Sequence, residues 1–195
     1  MTASKLPLEG RTAFIAGVAG GIGLAVAQTY QQHGYNVVIS DVDRAASTGR
    51  LRRSTSRARR PSHLNLERFG GVDLVVTNAG MLVLTLALDV GAEEFRRVLN
   101  VNLTGAFLAA KVFAGHMRDH RKRGGVIFTA SLFGVRGGAE NDAYSASKFG
   151  IVGLTQCLAA DLTPHGICVN CVCPGQFGHT RSADRRSRKP PPRAL

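Results

Sequence analysis

A β-rich run, Thr12 to Ala16, leads directly into Gly17-Val18-Ala19-Gly20-Gly21-Ile22-Gly23, after which Leu24 to His33 reads as helical. This strand, glycine turn and helix restrict the fold more than any other feature of the chain. Glycines at such a junction let the backbone pass close to a pyrophosphate, and the helix N-terminus presents free N–H groups and a partial positive charge to it. The spacing is G-x-x-x-G-x-G, and taken alone it also fits a flexible turn.

The rest of the chain repeats the strand-then-helix rhythm. Strands are expected at Thr12 to Ala16, Asn36 to Ser40, Val72 to Thr77, Val126 to Ala130 and Ile167 to Cys173. Helices are expected at Gly21 to His33, Ala92 to His120 and Ala143 to Leu162, the last stopping before Pro164 and Gly166. Such alternation builds a doubly wound α/β fold, a parallel sheet of five strands with helices on both faces. With 195 residues, 44% of them hydrophobic, the chain has material for one core. The expected organisation is one domain over residues 1–180 with an irregular Arg-rich insert at 44–65, followed by a basic, Pro-rich tail at 181–195.

The net charge of +12 suggests nucleic acid until it is located along the chain. Residues 44–60 carry seven Arg and no acid, and residues 181–195 carry six Lys or Arg against Asp184, so these segments hold the whole excess. Neither shows apolar periodicity, and both read as solvated, mobile segments. Few aromatics lie among the Arg residues, which argues against base stacking and against nucleic acid as a partner. There is no uninterrupted apolar run of membrane-spanning length, so no membrane partner is expected.

Cys168, Cys171 and Cys173 spell C-x-x-C-x-C, but on a strand Cys171 and Cys173 share one face while Cys168 points to the other. They cannot converge on one ion. No metal is expected, and these thiols together with Cys157 read as reduced core residues of a cytoplasmic protein.

Asp41 ends the second strand eighteen residues after Gly23, near the spacing at which an acid receives the ribose 2′-hydroxyl of NAD and repels the 2′-phosphate of NADP. Asp41 and Asp43 also fit ordinary turn residues. Further along stand Thr77-Asn78-Ala79-Gly80, then Asn102 within Val98 to Gly105, then Ser131 after the strand VIFTA. Tyr144-Ser145-Ala146-Ser147-Lys148 follows thirteen residues beyond that Ser, and Pro174-Gly175 closes the last strand. Tyr144 and Lys148, four apart on one helix, share a face. An ammonium there would favour the phenolate and lower a tyrosine pKa of about 10.

These motifs, in this order, resemble the short-chain dehydrogenase/reductase family of NAD(P)-dependent oxidoreductases over about residues 8–43 and 66–177. The resemblance implies a Rossmann-like sheet and hydride transfer between a nicotinamide cofactor, NAD rather than NADP, and an alcohol or carbonyl substrate. It implies Asn102, Ser131, Tyr144 and Lys148 as catalytic residues. It further implies Gly17, Gly21, Ile22, Gly23, Asp41, Asn78, Ala79, Gly80, Tyr144, Lys148, Pro174 and Gly175 as cofactor contacts. Asn102 would anchor a water next to Lys148, and a homo-oligomer would form through helices 92–120 and 143–162.

Two segments depart from the family pattern. The family's strand order is 3-2-1-4-5-6-7, and the Arg-rich stretch leaves too short a gap for the third strand with its helix. After Gly175, His179 and Thr180 stand at a shifted spacing where a lid and last strand are expected. The expected remnant is 2-1-4-5-6, with Asn36 to Ser40 and Ile167 to Cys173 as open, association-prone edges. A non-catalytic dinucleotide-binding relative is the alternative function, and a polyanion binder acting through the basic segments ranks third.

Overall fold

A computed structural model describes residues 9–43, 55–57 and 70–175. The strands are β1 (Thr12–Ala16), β2 (Asn36–Ser40), β3 (Thr55–Arg57), β4 (Leu74–Thr77), β5 (Gly124–Thr129) and β6 (Ile167–Val172). They form one sheet in the order β3-β2-β1-β4-β5-β6, and every pairing is parallel. The α-helices are α1 (Gly21–Gln32), α2 (Ala92–Leu99), α3 (Gly105–Asp119) and α4 (Asp142–Leu162).

Period-two alternation explains why the sheet is covered on both faces. From β1, Phe14 enters one cluster with Val75, Phe113, Phe128 and Ile151, while Ala13 and Ile15 enter another with Ala27, Val37 and Ile39. Phe14 and Phe113 stack with ring centroids 4.5 Å apart. Truncating any of the buried Phe residues to Ala would cost about 3–5 kcal/mol. The stretch Ala92–Asp119 is long and apolar enough on average to span a membrane. Here Ala106, Ala110, Phe113 and Met117 of that stretch are buried in the cluster beneath the sheet.

Four expectations are corrected. Among the described residues the sheet has six strands rather than five, because residues 55–57 inside the Arg-rich stretch pair with β2 in the register Val37↔Thr55 to Ile39↔Arg57. Strand pairing satisfies backbone groups, and three residues are too few to display a side-chain period. The strand Asn36 to Ser40 is therefore not an edge, and among the described strands β6 is terminal on its side of the sheet.

The helix expected over Ala92 to His120 is interrupted at Asn100–Thr104 by a π-helical turn. The cysteines are not core residues: Cys157, Cys168 and Cys173 are exposed and Cys171 is half-buried. On β6, Ile167 and Val169 pack into the α3/α4 cluster, whereas Cys168 faces the other side, where the described α1 cluster draws on β1, β2, β4 and Ile127 of β5 but not on β6. Residues 44–54, 58–69 and 176–195, which include His179, Thr180 and most of both basic segments, lie outside the described residues.

Candidate active site

The site gathers where the chain leaves the C-terminal ends of β1, β4, β5 and β6. Gly17 has φ +80°, and a Cβ there would lie 2.4 Å from the Ala79 nitrogen. A Cβ on Gly23 would lie 2.0 Å from the Gly17 carbonyl oxygen and 2.6 Å from Asn78 Nδ2. Asn78 Nδ2 donates to the Gly17 carbonyl oxygen at 2.8 Å, so Asn78-Ala79-Gly80 braces the loop from below. Gly17, Gly23, Asn78 and Ala79 are thus brought together, with glycine required for lack of any room.

Asp41 closes the loop from the other side. Its Oδ2 accepts from the Ala19 N–H at 2.7 Å, and its Oδ1 accepts from the Asp43 N–H at 2.9 Å. The crest behaves differently: a Cβ on Gly20 would meet nothing within 4 Å. Gly20 also caps α1 with no side-chain hydrogen bond. Gly21 and Ile22 open that helix, so their first-turn N–H groups face the crest with no side chain competing for them. The donor set fits a dinucleotide pyrophosphate.

On the other side of β4, Asn102 is 1% exposed within the π-turn. Its Oδ1 accepts from the Met81 N–H at 2.8 Å, and its Nδ2 donates to the Met81 carbonyl at 2.9 Å and to Ser147 Oγ at 3.0 Å. Ser147 Oγ donates to the Tyr144 carbonyl at 2.6 Å. Asn102 is therefore tied to the backbone of α4 through Ser147. Gly80 lies between Asn102 Oδ1 and Lys148 Nζ, which a Cβ on it would meet at 3.4 and 3.7 Å.

Lys148 is buried, and its Nζ donates to the Thr129 carbonyl oxygen at 2.7 Å while standing 5.6 Å from the centre of the Tyr144 ring. Burial lowers the ammonium pKa to about 8, with the Cys173 thiol acting in the opposite direction. Burial raises the Tyr144 pKa, and the Ser131 hydroxyl acts in the opposite, weaker direction. The expected lowering by Lys148 is corrected: its ammonium is directed to a carbonyl, and desolvation of the phenol dominates.

Ser131, also buried, caps the short 3₁₀ turn Leu132–Gly134 by accepting from the Phe133 N–H at 3.2 Å. Pro174 holds the rim, its carbonyl accepting from the Leu132 N–H at 2.8 Å, and Gly175 follows, exposed, as the last described residue.

Met81, Thr129 and Ser147 escape a sequence reading because two act through backbone groups. Ser147 alone carries a signal, being a serine inside a helix, where back-bonding to a carbonyl is the usual use of its hydroxyl.

Comparison with known proteins gives the family. The family profile described as short chain dehydrogenase matches residues 11–190. (+)-Borneol dehydrogenase 1 of Salvia officinalis is 40% identical over 184 residues, covering 86% of this chain and 70% of that protein. The chain belongs to the short-chain dehydrogenase family. The 3-hydroxyacyl-CoA dehydrogenase type-2 of Bos taurus is 36% identical, covering 91% of this chain and 77% of its own length. The crystal structure of NAD+-bound xylitol dehydrogenase superposes with a TM-score of 0.85 at 29% identity, over 92% of this chain and 75% of that one. As a short-chain dehydrogenase the chain is an NAD(P)-dependent oxidoreductase acting on alcohol or carbonyl substrates.

Proposed function

We propose that Tyr144 is the acid/base of this reaction, with Ser131 holding the substrate oxygen and Lys148 supplying the nearby cation. The observation that carries this reading is the buried Lys148 ammonium 5.6 Å from the centre of the Tyr144 ring at the start of α4, with the buried Ser131 where the chain leaves β5. A bound nicotinamide supplies the hydride acceptor or donor. Gly17, Gly21, Ile22, Gly23, Asp41, Asn78, Ala79, Gly80, Pro174 and Gly175 would hold that cofactor with Tyr144 and Lys148.

Tyr144 gives its proton to a carbonyl oxygen being reduced, or takes one from an alcohol being oxidised. Because burial raises its pKa, the phenol is protonated at neutral pH, which suits reduction. Oxidation then gains as pH rises. Tyr144→Phe should lower kcat by about 10² to 10⁴-fold while leaving cofactor binding within a few-fold. Wild-type kcat in that variant on a confirmed substrate would end the assignment.

NAD is favoured over NADP because the Asp41 carboxylate, bonded to the Ala19 N–H, stands at the loop where a 2′-phosphate would meet its charge. Calorimetric titration of the two cofactors tests this, and tighter NADP binding would overturn it. A homo-oligomer through 92–120 and 143–162 is supported by exposed Val101, Phe107, Leu108 and Val112 on the first stretch and Phe149 on the second. Sedimentation at micromolar concentration checks that assembly. A reducing, cytoplasmic location suits the four free cysteines.

A further inference from the structure

The loop that leaves β4 is apolar where surface loops are usually polar. From Met81 to Leu88 it holds no charged residue and one polar side chain, Thr85, whose hydroxyl donates away from the loop to the Glu94 carboxylate of α2 at 3.5 Å. Leu82, Leu86 and Leu88 are nonetheless 52%, 57% and 100% exposed. A single exposed leucine is ordinary, but three on one loop make an apolar surface of the kind that marks a binding site. This loop runs beside the residues of the reaction. It starts at Gly80, where a Cβ would lie 3.7 Å from Lys148 Nζ, and Asn102 holds both backbone groups of Met81. At its middle Thr85 pairs with Asn141 in an isolated parallel bridge, and the Thr85 N–H donates to the Glu140 carbonyl at 3.2 Å. Asn141 is the N-cap of α4, three residues before Tyr144. The bridge therefore lays the segment from Ser131 to Asn141 along the leucine loop. That segment adds an exposed Val135 and a half-buried Phe133. The Phe133 ring meets the Tyr144 ring edge-on, with centroids 6.3 Å apart and planes at 76°. Gly138 abuts the same ring, since a Cβ there would lie 2.4 Å from it. The charged residues of the segment, Arg136 and Glu140, are exposed and opposite in sign.

We propose that Leu82, Leu86, Phe133 and Val135 form an apolar mouth that selects uncharged alcohols and ketones carrying a bulky apolar group, over polyols and anionic hydroxy acids. The inference rests on Tyr144 and Ser131 as the pair that meets the substrate oxygen. Those two hydroxyls fix the reacting end, Phe133 packs beside it, and the loop leucines cover the substituent that projects outward. Burial of that substituent removes apolar surface from water on both partners. A hydroxyl or carboxylate carried to the same place would lose its water against leucine side chains that offer it no hydrogen bond. The surface is continuous with the catalytic tyrosine through Phe133, which commits it to the substrate rather than to a lipid surface or a second chain.

The test is calorimetric titration of the full chain with alcohols in the presence of NADH, a mixture in which cofactor and alcohol are both reduced and no turnover occurs. The Kd of tert-butylcyclohexanol should be at least about tenfold below that of cyclohexanol, and lactate and glycerol should bind more weakly than either. The double variant Leu82→Ser, Leu86→Ser exchanges two exposed side chains and leaves the core intact, and it should shrink the ratio between the two cyclic alcohols to about threefold or less. A ratio near one in the wild type, no binding of tert-butylcyclohexanol, or tighter binding of lactate would overturn the apolar mouth. So would a double variant that keeps the ratio but changes sedimentation or binding to phosphatidylcholine vesicles, since the leucines would then serve a second chain or a lipid surface. Binding is read here without chemistry, so the catalytic reading is judged separately, by whether Tyr144→Phe loses turnover.

Discussion

The glycine loop and the catalytic cluster occupy the same edge of the sheet and are held in place by different physics. Around Gly17 and Gly23 the geometry is enforced by exclusion, since backbone atoms of neighbouring segments already fill the space of a Cβ. Around Asn102, Ser131, Tyr144 and Lys148 it is enforced by a chain of directed bonds between side chains and carbonyls. A region built by exclusion should fail abruptly with one added methyl group. A region built by bonds should fail in steps, and should contain at least one member whose removal stabilises the protein.

Gly23→Ala carries the largest expected effect. The added carbon would lie 2.0 Å from the Gly17 carbonyl oxygen, so a loss above about 4 kcal/mol or failure to fold is expected in urea unfolding. A variant with wild-type stability would refute exclusion as the organising force. Asn102→Ala removes three hydrogen bonds and strands the Met81 N–H and carbonyl, which should cost about 2–4 kcal/mol.

Lys148→Met should go the other way. The folded-state pKa of Lys148 is about 8 against an ordinary 10.5, so at neutral pH the fold carries the cost of a buried cation, on the order of 3 kcal/mol before its bond to Thr129 is counted. Below pH 8 folded and unfolded chains are both protonated there and the cost is fully present. Between pH 8 and 10.5 the folded chain releases its proton first, so the cost fades as pH rises. Lys148→Met should therefore melt above the wild type at pH 7, with a gap that narrows toward pH 10, while turnover is lost. A gap that widens with pH would contradict the burial argument. Smallest of all, Gly20→Ala should change stability by no more than about 0.5 kcal/mol, since its Cβ enters open space from an extended backbone.

The sequence made the exclusion region easier to read than the bonded one. Gly17, Gly21 and Gly23 stand out because glycine at a strand-to-helix turn has few other uses, and Val37-Val38-Ile39 and Val75-Val76 mark their strands by β-branched runs. Tyr144 and Lys148 were legible from their spacing of four. The tilt of their proton affinities was not, because desolvation depends on what packs around them. Three-residue β3 was hidden because pairing by backbone leaves no mark in composition. The exposure of Cys168 followed from β6 being terminal, a property of sheet order and not of the strand's own residues.

The π-turn at Asn100–Thr104 has a consequence for how this chain can change length. Such a turn amounts to one extra residue in an α-helix, and one residue is roughly 100° of rotation. Deleting a single residue there would give a smooth helix and leave Val98 of α2, now buried, close to its present phase with Phe113 and Met117 of α3. Deleting a residue elsewhere in α2 or α3 would keep the turn and break that phase. Outside the turn the helix therefore has a fixed count as well as a pattern: there it tolerates exchange of residues on its surface far better than gain or loss of one, and Asn102 sits where the extra residue is absorbed.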